Sequence, residues 1–170
     1  MLFNPLTADE TTALNTVADT LSIPVAWLNN LISFESDWNP KAVNNSSGAS
    51  GLIQFMDKTA QGLGYASASA LVSQYPDRQS QLLGPVLTYL SAYKPFPTEQ
   101  SLYMAVFYPK ARNWPADTDF SAQVQAANPG IKTVQDYINK VTFTSTFNNL
   151  KPLAIVALSI FGVITLLKIS

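Results

Sequence analysis

Residues 25–54 read VAWLNNLISFESDWNPKAVNNSSGASGLIQ, an apolar segment that passes into a Ser-, Asn- and Gly-rich one. Leu28, Leu31 and Ile32 recur at helical spacing, and Glu35 follows Leu28 by seven residues and Ile32 by three. A helix over this stretch therefore carries a carboxyl on its apolar stripe instead of its solvated face. Near a helix C-terminus, low dielectric and the negative end of the dipole both favour the protonated acid, which suits a general acid. The competing reading is a structural glutamate neutralised by a lysine such as Lys41.

Working outward, Thr7 and Glu10 have the spacing of a capping box, and Leu14, Val17, Ala18 and Leu21 follow at helical intervals. They predict a first helix from about Ala8 to Leu21. Ser22 reads as the cap of the second helix, with Pro24 in its first turn. Asn39 to Ser50 reads as a loop, and Asp57 as the cap of a short helix that Gly64 ends. Further helices are expected from Asp77 to Tyr93, kinked at Gly84 and Pro85, from Thr98 to Phe107, and from Thr133 to Val141. Alternation of period two is almost absent, so the fold is mainly α, with room for a short hairpin around Ser50 to Phe55.

Bulk composition narrows the chemistry. The 170 residues suffice for one compact domain. Ten Lys and Arg against eleven Asp and Glu leave no basic excess, so nucleic acid is not an expected partner. Cysteine and histidine are both absent, which removes disulfides, thiolate nucleophiles, Ser-His triads and most transition-metal sites. Carboxylates, hydroxyls, amides and lysines remain for chemistry, and neither a metal nor a cofactor is expected.

Hydrophobic residues reach 47% while charged ones are only 12%, which points to a membrane segment or a weakly charged cleft. Leu153 to Leu167 is an uncharged run, extended by Ile169 and bracketed by Lys151 and Lys168. As a helix, Leu153 to Ile169 would cover roughly 25 Å, enough for a thin bilayer if Lys168 snorkels; the competing reading is a buried core helix, against which stands the lack of a polar face. The expected organisation is a catalytic domain over 1–141, a polar tether over 142–151 and a C-terminal transmembrane anchor over 152–170, with membrane lipid as a partner.

Glu35-Ser36-Asp37-Trp38-Asn39-Pro40-Lys41-Ala42 is followed by Gly48-Ala49-Ser50-Gly51-Leu52-Ile53-Gln54 and Thr59-Ala60. These segments resemble the lytic transglycosylases of the goose-type lysozyme-like fold, over roughly Ser22 to Lys140. Glu35 takes the catalytic place, Gly51 to Gln54 the G-L-M-Q place with isoleucine for methionine, and Tyr137 the late tyrosine. Tyr108 keeps the tyrosine of an A-Y-N segment, with Pro109 where asparagine is usual. Asn44 or Asn45 stands where many members have serine, so an amide replaces the orienting hydroxyl.

The resemblance implies that Glu35 is the catalytic residue and that Gln54, Tyr108, Tyr137, Asn44 and Ser50 contact substrate. It implies that Glu35 protonates the bond between N-acetylmuramic acid and N-acetylglucosamine in peptidoglycan. Glu35 then takes the proton of the muramyl 6-hydroxyl, which closes a 1,6-anhydro ring, while Tyr137 holds Glu35 in place. The residues agree with one-carboxylate chemistry, because Asp37 should point to another face and Asp57 should cap a helix. Two alternatives stand beside it: a lysozyme-type hydrolase, and a non-catalytic peptidoglycan-binding or structural membrane protein of a virus particle. The N-terminus lacks the pattern of a secretory signal peptide. A bacteriophage virion membrane is therefore the expected location, with the host cell wall as the place of action and other virion proteins as further partners; a bacterial tail-anchored protein is the alternative.

Overall fold

The computed structural model describes residues 5–143. Helix α1, Ala8–Leu21, opens on the Thr7–Glu10 capping box and buries Ala13, Leu14, Val17, Ala18 and Leu21. Fully burying an aliphatic side chain of this kind contributes about 1.5–3 kcal/mol, so this stripe ties α1 to the core. Helix α2, Val25–Ser36, buries Leu28, Leu31 and Ile32 and packs against α1. Ser22 does not cap α2. It adopts φ 57° and ψ 47° and closes α1, its N–H reaching the carbonyls of Ala18 and Asp19, while Pro24 precedes α2 without a side-chain cap.

Beyond α2 come short helices: α3, Asp57–Gly62, and α4, Ala68–Gln74. Asp57 is the first helical residue of α3, not its cap, and its Oδ1 accepts instead from the Ala68 N–H at 2.8 Å, tying α3 to α4. The segment expected as one helix from Asp77 divides into α5, Arg78–Gln81, a π-helical turn over Leu82–Val86, and α6, Leu87–Ser91. Gly84 supplies the break with φ −96° and ψ −105°. A Cβ there would lie 2.6 Å from Cε1 of Tyr75, so this turn needs glycine for room as well as for backbone freedom.

Helix α7, Glu99–Phe107, is capped by Thr98, and α8 spans Ala122–Ala127. A final helix, α9, covers 134–143, with Thr133 Oγ1 accepting from Asp136 N at 3.1 Å. Helices α4 and α8, at seven and six residues, are too short for a periodic signal in the sequence. The hairpin is reduced to isolated bridges, Val43 to Ser50 and Ser50 to Phe55. The core is continuous across these elements, from Leu14 and Leu28 to Leu102, Tyr103 and Tyr137.

The mainly helical architecture agrees with a lysozyme-like domain, but the expected fold also included a transmembrane helix, and that part is corrected. Among the described residues no helix is long and apolar enough to cross a membrane. Helix α1, with 14 residues, covers about 21 Å of a roughly 30 Å hydrocarbon core, and it carries Asp9, Glu10 and Asp19. The run over 153–169, and the lipid contact expected of it, lie outside the described residues, as does the expected tether from 144 onward.

Candidate active site

Glu35 sits in the last turn of α2, half-buried. The Tyr137 hydroxyl donates to Glu35 Oε1 at 2.5 Å. Tyr137 is held by neighbours on both sides: its ring stacks on Phe107 at 4.2 Å and 14°, and meets Phe34 edge to face at 5.4 Å. The partner of Glu35 is thus a phenol, and Lys41, the cation that would have made it an ordinary ion pair, is exposed and unpaired with it.

Burial pushes the Glu35 carboxyl up to about 7, and the Tyr137 hydrogen bond pulls the other way without cancelling it. The Tyr137 hydroxyl is itself held well above its usual range, by burial first and then by the charge of Glu35. Tyr137 therefore remains the donor over the range in which Glu35 titrates. Such a pair can both release and accept a proton near neutrality at one carboxyl.

The end of α2 is pinned by contacts that the linear pattern does not reveal. Asp37 and Trp38 both occupy the left-handed region, φ 48° and 61°, a strained arrangement for non-glycine residues that persists only when the surroundings enforce it. The enforcing contacts are plain: Arg78 Nε donates to the Trp38 carbonyl at 2.7 Å, and Trp38 Nε1 donates to Asn29 Oδ1 at 3.2 Å. Arg78 Nη1 also lies 3.3 Å from Glu10 Oε2, so α1, α5 and the turn after Glu35 are clamped together. Ser36, next to Glu35, donates to the Leu52 carbonyl at 2.9 Å and so ties the 48–55 loop to α2.

Gln81 completes the frame. It is fully buried. Its Oε1 accepts from Leu52 N at 2.9 Å, and its Nε2 donates to the carbonyls of Pro40 and Tyr75 at 2.7 and 2.9 Å. Gly51, at φ +82°, passes so close that a Cβ would stand 2.7 Å from Gln81 Oε1, which explains the glycine at that place. Sequence reading did not find Gln81 or Arg78. Both lie in the polar run Asp77 to Gln81, where nothing local marks them as buried, and their partners are 6 to 68 residues away.

The structure distributes the remaining candidates unevenly. Gln54, with φ 53°, stands half-buried at the end of the same loop, its Nε2 donating to Gly51 O at 3.0 Å. Tyr108 follows α7 and packs edge-on against Trp114 and Phe120, continuing the aromatic wall begun by Phe107. Asn44 is exposed, and its Oδ1 accepts from the N–H groups of Ser46 and Ser47 at 3.0 and 3.2 Å, folding its own turn. Ser50 is buried, its hydroxyl donating to Gly48 O at 2.9 Å. Neither is hydrogen-bonded to Glu35 or Tyr137. Among the described residues no group of carboxylates is placed to hold a metal.

The profile of the Transglycosylase SLT domain family matches residues 13–149. No curated protein and no solved structure gives a significant match to the chain. The matched span takes in the Glu35 helix, the Gly51 to Gln54 loop and Tyr137, and with most of its length covered the chain belongs to the transglycosylase SLT domain family.

Proposed function

We propose that this protein cleaves the β-1,4 bond between N-acetylmuramic acid and N-acetylglucosamine in peptidoglycan, with Glu35 as its one acid and base and a 1,6-anhydromuramyl end as its product. Family membership supports the transglycosylase type of activity in general. The observation that carries the finer reading is Glu35 itself, a carboxyl raised to about 7 with a single hydroxyl partner.

In the proposed sequence, protonated Glu35 gives its proton to the glycosidic oxygen as that bond to the anomeric carbon breaks. The carboxylate left behind accepts the proton of the muramyl 6-hydroxyl as its oxygen bonds to the same carbon, and the acid is restored. The Tyr137 hydrogen bond steadies the carboxylate stage. Gln54 and Tyr108 are assigned to the cleft wall that receives the sugars.

One-carboxylate chemistry is favoured over hydrolysis by the neighbours. Asp37 is exposed beyond the end of α2 and Asp57 is bonded to α4, whereas a hydrolase of the usual kind needs a second carboxyl about 5 to 9.5 Å from the first. The 6-hydroxyl is already attached to the reacting sugar, so its attack is intramolecular. Mass spectrometry of digested purified peptidoglycan tests this, since anhydro products are lighter by one water. Reducing-end muramic acid as the sole product would overturn it.

A further inference from the structure

A groove of about 720 Å³ opens between the 41–50 loop and α4, with Ser67 also in its lining, and neither Glu35 nor Tyr137 lines it. Ser69, Val72 and Ser73 of α4, with Pro76 just beyond it, form one side. Val72 and Ser73 follow Ser69 by three and four residues, the spacing of one helical face. Ser69, Ser73 and Pro76 are exposed. Lys41 and Ser50 stand on the loop side, and Asp57 also lines the groove.

The groove carries both signs of charge without an internal pair between them. Ion pairs such as Arg78 with Glu10 and Lys132 with Asp119 take up neither Lys41 nor Asp57. Asp57 Oδ1 receives the Ala68 N–H, which leaves Oδ2 for a ligand. The Ser50 hydroxyl is spent on Gly48 O, leaving its oxygen to accept, while Ser67 Oγ accepts from Ala70 N and keeps its hydrogen to donate. A ligand that matches this lining has a carboxylate, an ammonium and amide groups in one extended chain. A glycan strand supplies hydroxyls but no ammonium.

The loop that lines the groove at Ser50 also reaches the end of α2. Ser50 lies two residues from Leu52, whose carbonyl is bonded to Ser36 beside Glu35. A peptide of about five residues extends for roughly 17 Å, so one attached to a sugar at Glu35 has the reach to enter. We propose that this groove binds the peptide stem of the peptidoglycan strand being cleaved, with Lys41 taking a peptide carboxylate and Asp57 its ammonium. The proposal rests on the peptidoglycan reading above.

The test compares kcat/KM of the full chain on peptide-bearing strands with that on strands stripped of peptide. Lys41→Gln, Asp57→Asn and the groove-filling Ser73→Trp are each expected to lower the ratio of the two by roughly five- to tenfold, the size of one charge-assisted contact. An unchanged ratio overturns the proposal, and equal losses on both substrates assign the groove to the glycan instead. Titrating the Glu35→Gln chain with a free peptide bearing two carboxylates and one amine keeps binding separate from turnover. Amide shifts at Lys41, Ser69 and Ser73 that vanish in Lys41→Gln support the groove even if no bond is cleaved. Absence of such shifts in Glu35→Gln, while the unaltered chain cleaves peptidoglycan, sinks the groove and leaves the proposed function standing.

Discussion

The Tyr137 hydroxyl lies 2.5 Å from Oε1 of Glu35, across 102 residues of chain. It is the hydrogen bond the structure gives that carboxyl, and it favours the ionised form while burial favours the acid. Burial is the larger effect, so the acid persists to about pH 7. The balance between these two opposed influences is what can be perturbed.

Replacing Glu35 by glutamine is expected to abolish bond cleavage, because the amide keeps the shape and cannot give or take the proton. Far-UV circular dichroism should be unchanged. Glu10→Gln is the control: it keeps the Thr7 box in kind but loses the charge facing Arg78. It should cost about 1–3 kcal/mol of stability with most activity retained. Cleavage by Glu35→Gln at the wild-type rate would remove the assignment.

Activity should fall on the alkaline side with a midpoint near pH 7, since the first step needs protonated Glu35. The Tyr137 hydrogen bond lowers the Glu35 pKa, so Tyr137→Phe should move this limb to higher pH while reducing kcat. The kcat/KM profiles of both proteins on one soluble glycan strand decide the point. A limb that moves downward would mean that the tyrosine acts otherwise.

Stability should carry the opposite signature to that of a salt-bridged carboxylate. The Glu35 pKa is raised from 4.5 to about 7 on folding, so its contribution is fully present below pH 4.5 and is lost as pH rises through 7. The span is at most on the order of 3 kcal/mol, and less where water reaches the carboxyl. Thermal midpoints between pH 4 and 9 should show this decline in the wild type, and Glu35→Gln should lack that component of it.

Gln81→Leu is expected to destabilise by roughly 2–4 kcal/mol, because it strands the Leu52 N–H and the Pro40 and Tyr75 carbonyls together. The loss should appear first as faster amide exchange over 51–55, with activity falling although no proposed catalytic group is touched. Exchange that stays slow there would show that the loop holds without Gln81.

Periodicity and caps were enough to place α1, the apolar stripe of α2, and α7 after Thr98, because those features depend on hydrogen bonds and burial patterns within a turn or two of the same helix. The same local reading singled out Glu35 as a carboxyl on the wrong face. It misassigned Ser22 and Asp57, since a side chain that can cap a helix can equally close the previous one or reach the next. The family resemblance quoted Ser36 and Tyr137 and implied that Tyr137 holds Glu35. The periodicity of the residues alone did not reach that pairing.

Tertiary structure decided everything that joins distant parts of the chain. Nothing near Glu35 in sequence specifies that Arg78 grips the Trp38 carbonyl, that Gln81 fills the space left by Gly51, or that Asn44 turns on its own loop while Ser50 opens to a groove. These outcomes depend on which apolar faces meet when the helices pack, and a buried polar group then takes whichever partner that packing brings within about 3 Å.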